Sequence, residues 1–107
     1  MKIVFRPQFW ADLEDGVAYL HRQASADVAN RWHSEVVNVV SQVASLPDIG
    51  RPRPDLAPPG IRSLVLRRYP RYLLFYLWRE DTVELLRVKH GMMDLSRLFS
   101  EDRSPAS

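Results

Sequence analysis

Two apolar stripes at helical spacing, followed by a series of short strand-like runs, set the outline of this chain. Phe9, Leu13, Val17 and Leu20 recur every three or four residues, which predicts an amphipathic helix over residues 8–23. A β-rich run, KIVF at 2–5, comes just before Pro7. Proline suits the first turn of a helix, so a strand hands over to the helix there. Asp12, Glu14 and Asp15 are expected in early turns, where the helix dipole favours acids. Ser25 is a natural N-cap for a second helix with Asp27 in its first turn. Its stripe comprises Val28, Trp32, Val36, Val39, Val40, Val43 and Leu46, and Pro47 ends it, since the residue before proline disfavours helical backbone. The very short connection makes the two helices an antiparallel hairpin whose joined apolar faces need a sheet to cover them.

Beyond Gly60 the pattern becomes that of strands. Residues 61–67 read as one strand, 68–71 as a turn, and 72–78 as an almost continuously apolar central strand buried on both faces. A tight turn over 79–81 leads to a last strand, 82–89, in which Leu86 and Val88 share one face and Leu85, Arg87 and Lys89 the other. Gly91 breaks it, and Asp94 caps a short final helix with Leu95, Leu98 and Phe99 on its apolar side. The expected fold is α+β, in the order β-α-α-β-β-β, with an antiparallel sheet packed on a helical hairpin and a short C-terminal helix. Residues 1–99 form a single domain, and 100–107 read as a loose tail.

Composition narrows the functions. The 107 residues include no cysteine, which removes disulfides, thiolate metal sites and a cysteine nucleophile. No apolar run approaches the roughly 20 residues of a membrane span and no apolar signal region opens the chain, so the expected location is the cytoplasm. His21 and His33 fall on helices without metal-ligand spacing and are expected at the surface, so neither a metal nor another cofactor is expected. The net charge of +2 hides a segregation: residues 51–79 hold seven arginines against the single acid Asp55, whereas the flanks are each net acidic. Arginine presents a planar, always-charged fork suited to carboxylate and phosphate. Such a patch is the footprint of an anionic partner, nucleic acid or an acidic protein segment.

Four local sequences sharpen this picture: G-R-x-R at Gly50–Arg53, G-I-R-S at Gly60–Ser63, the aromatic strand ending in Phe75-Tyr76, and R-V-x-H-G-x-x-D from Arg87 to Asp94. Together with the order of elements they resemble the ParE/RelE toxin superfamily of bacterial toxin–antitoxin pairs, most nearly its ParE branch. The resemblance implies a small toxin held inactive in a hetero-oligomeric complex by a ParD-like antitoxin whose extended tail wraps its helices and sheet. It also implies DNA gyrase as the target, bound without chemistry of the toxin's own. The RelE branch instead cleaves ribosome-bound mRNA. Its typical basic residues and final-helix tyrosine correspond by motif position to Leu73, Met92 or Met93, and Leu98 or Phe99, so the usual nuclease set is missing.

Two alternatives stay open: a RelE-like mRNA endonuclease using Arg62, Arg87 and His90, or a degenerate toxin that only binds its antitoxin. In the first, His90 would move a proton near neutrality while the arginines clamp phosphate. The expected partner-binding residues are Arg51, Arg53, Arg62, Tyr72, Tyr76, Arg87 and His90. Trp10, Trp32 and Trp78 are assigned to an antitoxin groove or the core. Arg67, Arg68 and Arg71 surround a turn, where charge also discourages sheet pairing.

Overall fold

The computed structural model describes residues 1–91 and Phe99. Strand β1 (Lys2–Phe5) passes directly into helix α1 (Pro7–Gln23), with Pro7 in the first turn as expected. Helix α2 (Ala26–Ser45) follows, and the Ser25 hydroxyl accepts a 3.1 Å hydrogen bond from the Val28 N–H, the cap that the sequence calls for. Then come β2 (Arg51–Pro52), β3 (Ile61–Leu66), β4 (Tyr69–Arg79) and β5 (Thr82–His90). The sheet order is β1-β5-β4-β3-β2. β2 to β5 pair antiparallel, but β1 lies parallel to β5. Tight turns impose antiparallel pairing only on strands that they join, and β1 reaches β5 across the whole chain.

The main core lies between the hairpin and the sheet. Phe9, Leu13, Trp32, Val36, Val39 and Val43 of the helices meet Leu66, Leu74, Tyr76, Val83, Leu85 and Val88 of the strands. Helix α1 carries Gly16 because a Cβ there would overlap the Trp32 ring, so the close crossing of the helices rests on that glycine. On the opposite face Leu56, Ile61, Phe75, Leu77 and Leu86 form a second cluster, joined by Phe99, whose ring meets that of Phe75 at 5.1 Å and 72°. β4 is therefore buried on both faces, as its apolar run predicts. Met92, Met93, most of the helix expected after Asp94, with Leu95 and Leu98, and the tail from Ser100 lie outside the described residues.

Several local expectations change. Leu46 is exposed because it stands one residue past the helix, with backbone angles of −135° and 81°, and so leaves the helical spacing; Ala29 takes a buried place on the stripe. The turn expected at 68–71 is only Arg67-Arg68. β4 already starts at Tyr69, and Pro70 falls where the β3–β4 register shifts, a position that needs no ladder N–H. β2, two residues long, adds a strand to the expected order.

The most consequential change is in β5. Phe75 pairs with Arg87 but Tyr76 pairs with Leu85, so Leu86 is an extra residue without a partner across the ladder. This bulge breaks the alternation expected for 85–89: Val88 still lies opposite Arg87 and Lys89, but Leu85 and Leu86 exchange faces. Leu85 and Val88 now share the helix-facing core, and Leu86 joins the second cluster.

Candidate partner-binding surface

The seven arginines of residues 51–79 divide into two groups. Arg53 is committed to its own loop: its Nε and Nη2 grip the Asp55 carboxylate at 3.0 and 2.7 Å, and its Nη1 donates to the Ser63 hydroxyl at 3.2 Å. The guanidinium lies over the Phe75 ring, and its hydrogen bonds hold the Asp55 carboxyl below its ordinary pKa. Arg62 donates from Nη1 to the carbonyls of Asp48 and Gly50, at 3.1 and 2.7 Å, and stacks over Trp78. Arg79 reaches the Pro59 carbonyl. By contrast, the guanidinium groups of Arg51, Arg67, Arg68 and Arg71 are exposed and make no ion pair among the described residues. Three of these four crowd the β3–β4 hairpin tip.

Tyr76 belongs to the same support as Arg62 rather than to a binding face. It is fully buried; its hydroxyl donates to the Pro47 carbonyl and accepts the Gly50 N–H at 2.9 Å. Gly50 is required by this approach, since a Cβ would come within 2.6 Å of the hydroxyl oxygen. Burial raises the Tyr76 pKa, because the phenolate would lose its hydration. The assignment of Tyr76 to partner binding is thus corrected: the side chain shapes the loop from α2 into β2 and offers nothing outward.

Arg87 is engaged too. Its Nε and Nη2 reach Asp12 Oδ2 and Oδ1 at 2.8 and 3.0 Å, the Val88 N–H donates to Oδ2 at 3.1 Å, and Lys89 Nζ stands 3.1 Å from Oδ1. The Asp12 side chain is only 2% exposed and that of Arg87 11%. Asp12 therefore is no dipole acid; the first turn of α1 contains none. It sits where β1 has ended and the outer edge of β5 would otherwise present an open N–H. The signal for it was present in sequence, because position 12 lies on the buried stripe between Phe9 and Gly16. An acid on an apolar stripe needs a cationic partner.

The remaining candidates scatter. Tyr72 packs between Trp32 and His90, at ring-centre distances of 5.3 and 5.4 Å, and burial raises its pKa. Trp32 is fully buried, which removes it from any groove. Trp78 is half-buried under Arg62, and of the three tryptophans Trp10, 49% exposed and stacked on Phe5, offers the broad aromatic surface.

A family model described as ParE toxin of type II toxin-antitoxin system, parDE, matches residues 3–95. The chain belongs to the ParE toxin family. Among solved structures, this ParE-family chain is similar to one from the chromosomal ParDE TA system of P. aeruginosa, with a TM-score of 0.71 and 20% identity over 84% of this chain and 95% of that one. It is also similar to the YoeB/ParE toxin from Agrobacterium tumefaciens, with a TM-score of 0.55 and 18% identity over 84% and 98% of the two chains. No curated protein matches the sequence. At these identities the likeness speaks for the fold, two helices on a five-stranded sheet.

For this ParE-family chain the three groups of the nuclease alternative do not converge. Arg62 stands opposite Tyr76, whose side chain belongs to the helix-facing core, whereas Arg87 stands opposite Phe75 on the other face. Arg62 is stacked and hydrogen-bonded to carbonyls, Arg87 is neutralised by Asp12, and His90 lies against Tyr72. Among the described residues no group of His, Asp and Glu could hold a metal ion, and no helix is long and apolar enough to cross a membrane.

Proposed function

We propose that this ParE-family chain is a toxin that inhibits DNA gyrase by binding, without chemistry of its own, and is neutralised in the cytoplasm by a ParD-like antitoxin in a hetero-oligomeric complex. The observation that carries this reading is the division of its arginines. Those suited to a phosphate clamp, Arg62 and Arg87, are consumed by internal contacts on opposite faces, while Arg51, Arg67, Arg68 and Arg71 stand exposed without ion pairs among the described residues. Catalysis of RNA cleavage needs cations and a proton donor gathered on one phosphate. Inhibition by binding needs an outward surface, and charged exposed groups supply it.

The test is ATP-dependent supercoiling of relaxed plasmid by purified gyrase, with and without the chain, repeated after addition of the antitoxin. The expected result is loss of supercoiling with cleaved DNA accumulating, reversed by antitoxin. Full supercoiling at excess folded protein, with mRNA cut on induction and the cutting lost in Arg87→Ala or His90→Ala, would establish the ribonuclease instead. Tight antitoxin binding with neither effect would mark a toxin that has lost its target.

A further inference from the structure

The β3–β4 hairpin ends as a two-stranded ribbon that outruns its neighbours. β2 covers β3 only at Arg62 and Ser63. β5 last meets β4 at the Tyr72–His90 pair and through the Gly91 N–H, which donates to the Arg71 carbonyl at 2.6 Å. Past those points residues 66–70 have no further strand beside them among the described residues. The turn itself is Arg67-Arg68, and Arg71 follows on a bulge: Leu66 pairs with Tyr69 and Val65 with Leu73, so Pro70 to Tyr72 have no partner in β3. A bulge re-aims the side chains that it carries.

The result is a ribbon with cations on both faces. On the helix side Arg67 and Arg68 line a groove with Asn38 and Gln42 of α2. Glu35 shares that groove, but its carboxylate accepts the Arg68 backbone N–H at 3.3 Å and makes no ion pair with either guanidinium. On the side of the second cluster Arg71 lines a hollow with Val65 and Leu73. All three arginines are exposed.

This division sets a demand on the partner. An extended acidic peptide lying along one face reaches the cations of that face alone. A second copy of this chain would bring like charges together. Duplex DNA carries about one negative charge per 1.7 Å of axis, in two phosphate rows that flank each groove, and its major groove, about 12 Å wide, admits a two-stranded β-ribbon. We infer that the β3–β4 tip binds duplex DNA, with Arg67 and Arg68 on phosphates of one groove rim and Arg71 on those of the other. The planar guanidinium fork holds phosphate oxygens two at a time. The inference goes beyond the gyrase reading and stands without it; where gyrase is the target, it puts the toxin on the DNA as well as on the enzyme.

The experiment is fluorescence anisotropy of a labelled duplex of about 20 base pairs titrated with the full chain at several salt concentrations. Three phosphate contacts predict a slope of about −2.7 for log affinity against log salt, so binding should weaken roughly fortyfold between about 50 and 200 mM. Arg67→Gln, Arg68→Gln and Arg71→Gln together should weaken binding at the lower salt by about tenfold or more and flatten the slope. Lys2→Gln, Arg22→Gln and Arg31→Gln make the same change of charge at exposed sites elsewhere and should leave the slope as it was. Arg71→Gln alone should lower the slope in part, because it empties one rim. A single strand of the same sequence and a poly-glutamate peptide of matched length should each bind about fivefold more weakly than the duplex, or less. The inference is overturned if the duplex is not bound, if the two triple variants behave alike, if Arg71→Gln leaves the slope unchanged, or if the single strand or poly-glutamate binds as well as the duplex. None of these titrations contains gyrase, so a chain that ignores the duplex yet blocks supercoiling overturns this inference and leaves the gyrase reading in place.

Discussion

Arg87 on β5 and the arginines of the β3–β4 hairpin tip are the same residue type put to opposite uses. At the β5 edge one carboxylate, Asp12, gathers Arg87, Lys89 and the Val88 N–H in a nearly water-free place. At the tip, Arg67, Arg68 and Arg71 have water around them and no ion pair among the described residues. A guanidinium fixed by a buried acid contributes to holding α1 against the sheet and cannot follow a partner. One left in water contributes almost nothing to stability and remains available for recognition. Arginine count alone therefore overstates the binding surface of this chain. What matters is which cations already have an anion.

The comparison breaks most severely at Asp12. Asp12→Ala leaves a buried guanidinium and an open Val88 N–H, and should lower unfolding free energy by about 3–5 kcal/mol in urea denaturation. Asp12→Asn keeps an acceptor and should cost less; an alanine variant as stable as the parent would mean that the cluster is not the clamp described. Next comes Tyr76→Phe, which strands the buried Gly50 N–H and should cost about 1–3 kcal/mol by the same measurement. It should also loosen Arg62, seen as faster amide exchange in residues 48–50.

At the tip the expectation inverts. Arg67→Gln, Arg68→Gln and Arg71→Gln together should change stability by no more than about 0.5 kcal/mol, yet weaken antitoxin or gyrase binding clearly in a titration. Equal binding by the triple variant would show these cations to be ornamental.

The pH dependence is the smallest effect. Tyr72 and Tyr76 have raised pKa values through burial, so the folded state keeps its protons when the unfolded state has lost them. Their contribution is complete below the ordinary tyrosine value of about 10 and is lost as pH climbs through the raised folded values. The slope of alkaline unfolding should become shallower in Tyr76→Phe. Asp55 has the opposite sign: its lowered pKa gives a contribution present at neutral pH and lost as pH falls through the folded value, so Asp55→Asn should flatten the acid limb.

Much of the architecture was written in the chain. Spacing of apolar residues defines both helices, Ser25 and Pro47 mark the ends of the second, and the unbroken apolar run of β4 declares a strand covered on both sides. The match over residues 3–95 agrees with the motifs that suggested the family. These features are legible because each depends on neighbours within a few residues, where helix and strand periods act directly.

The use of the charged residues was decided only in three dimensions. Asp12 and Arg87 are 75 positions apart, and Tyr76 meets Gly50 across 26. One unpaired residue, Leu86, turns Arg87 toward the face of Phe75, and nothing in the local alternation of 82–90 announces that shift. Whether an arginine is a clamp, a stacked support or an outward cation depends on which acid or carbonyl the fold brings to it. Local sequence fixes a side chain's chemistry, but its partner is chosen by pairing between distant strands and helices, and the partner determines whether that chemistry remains available to another molecule.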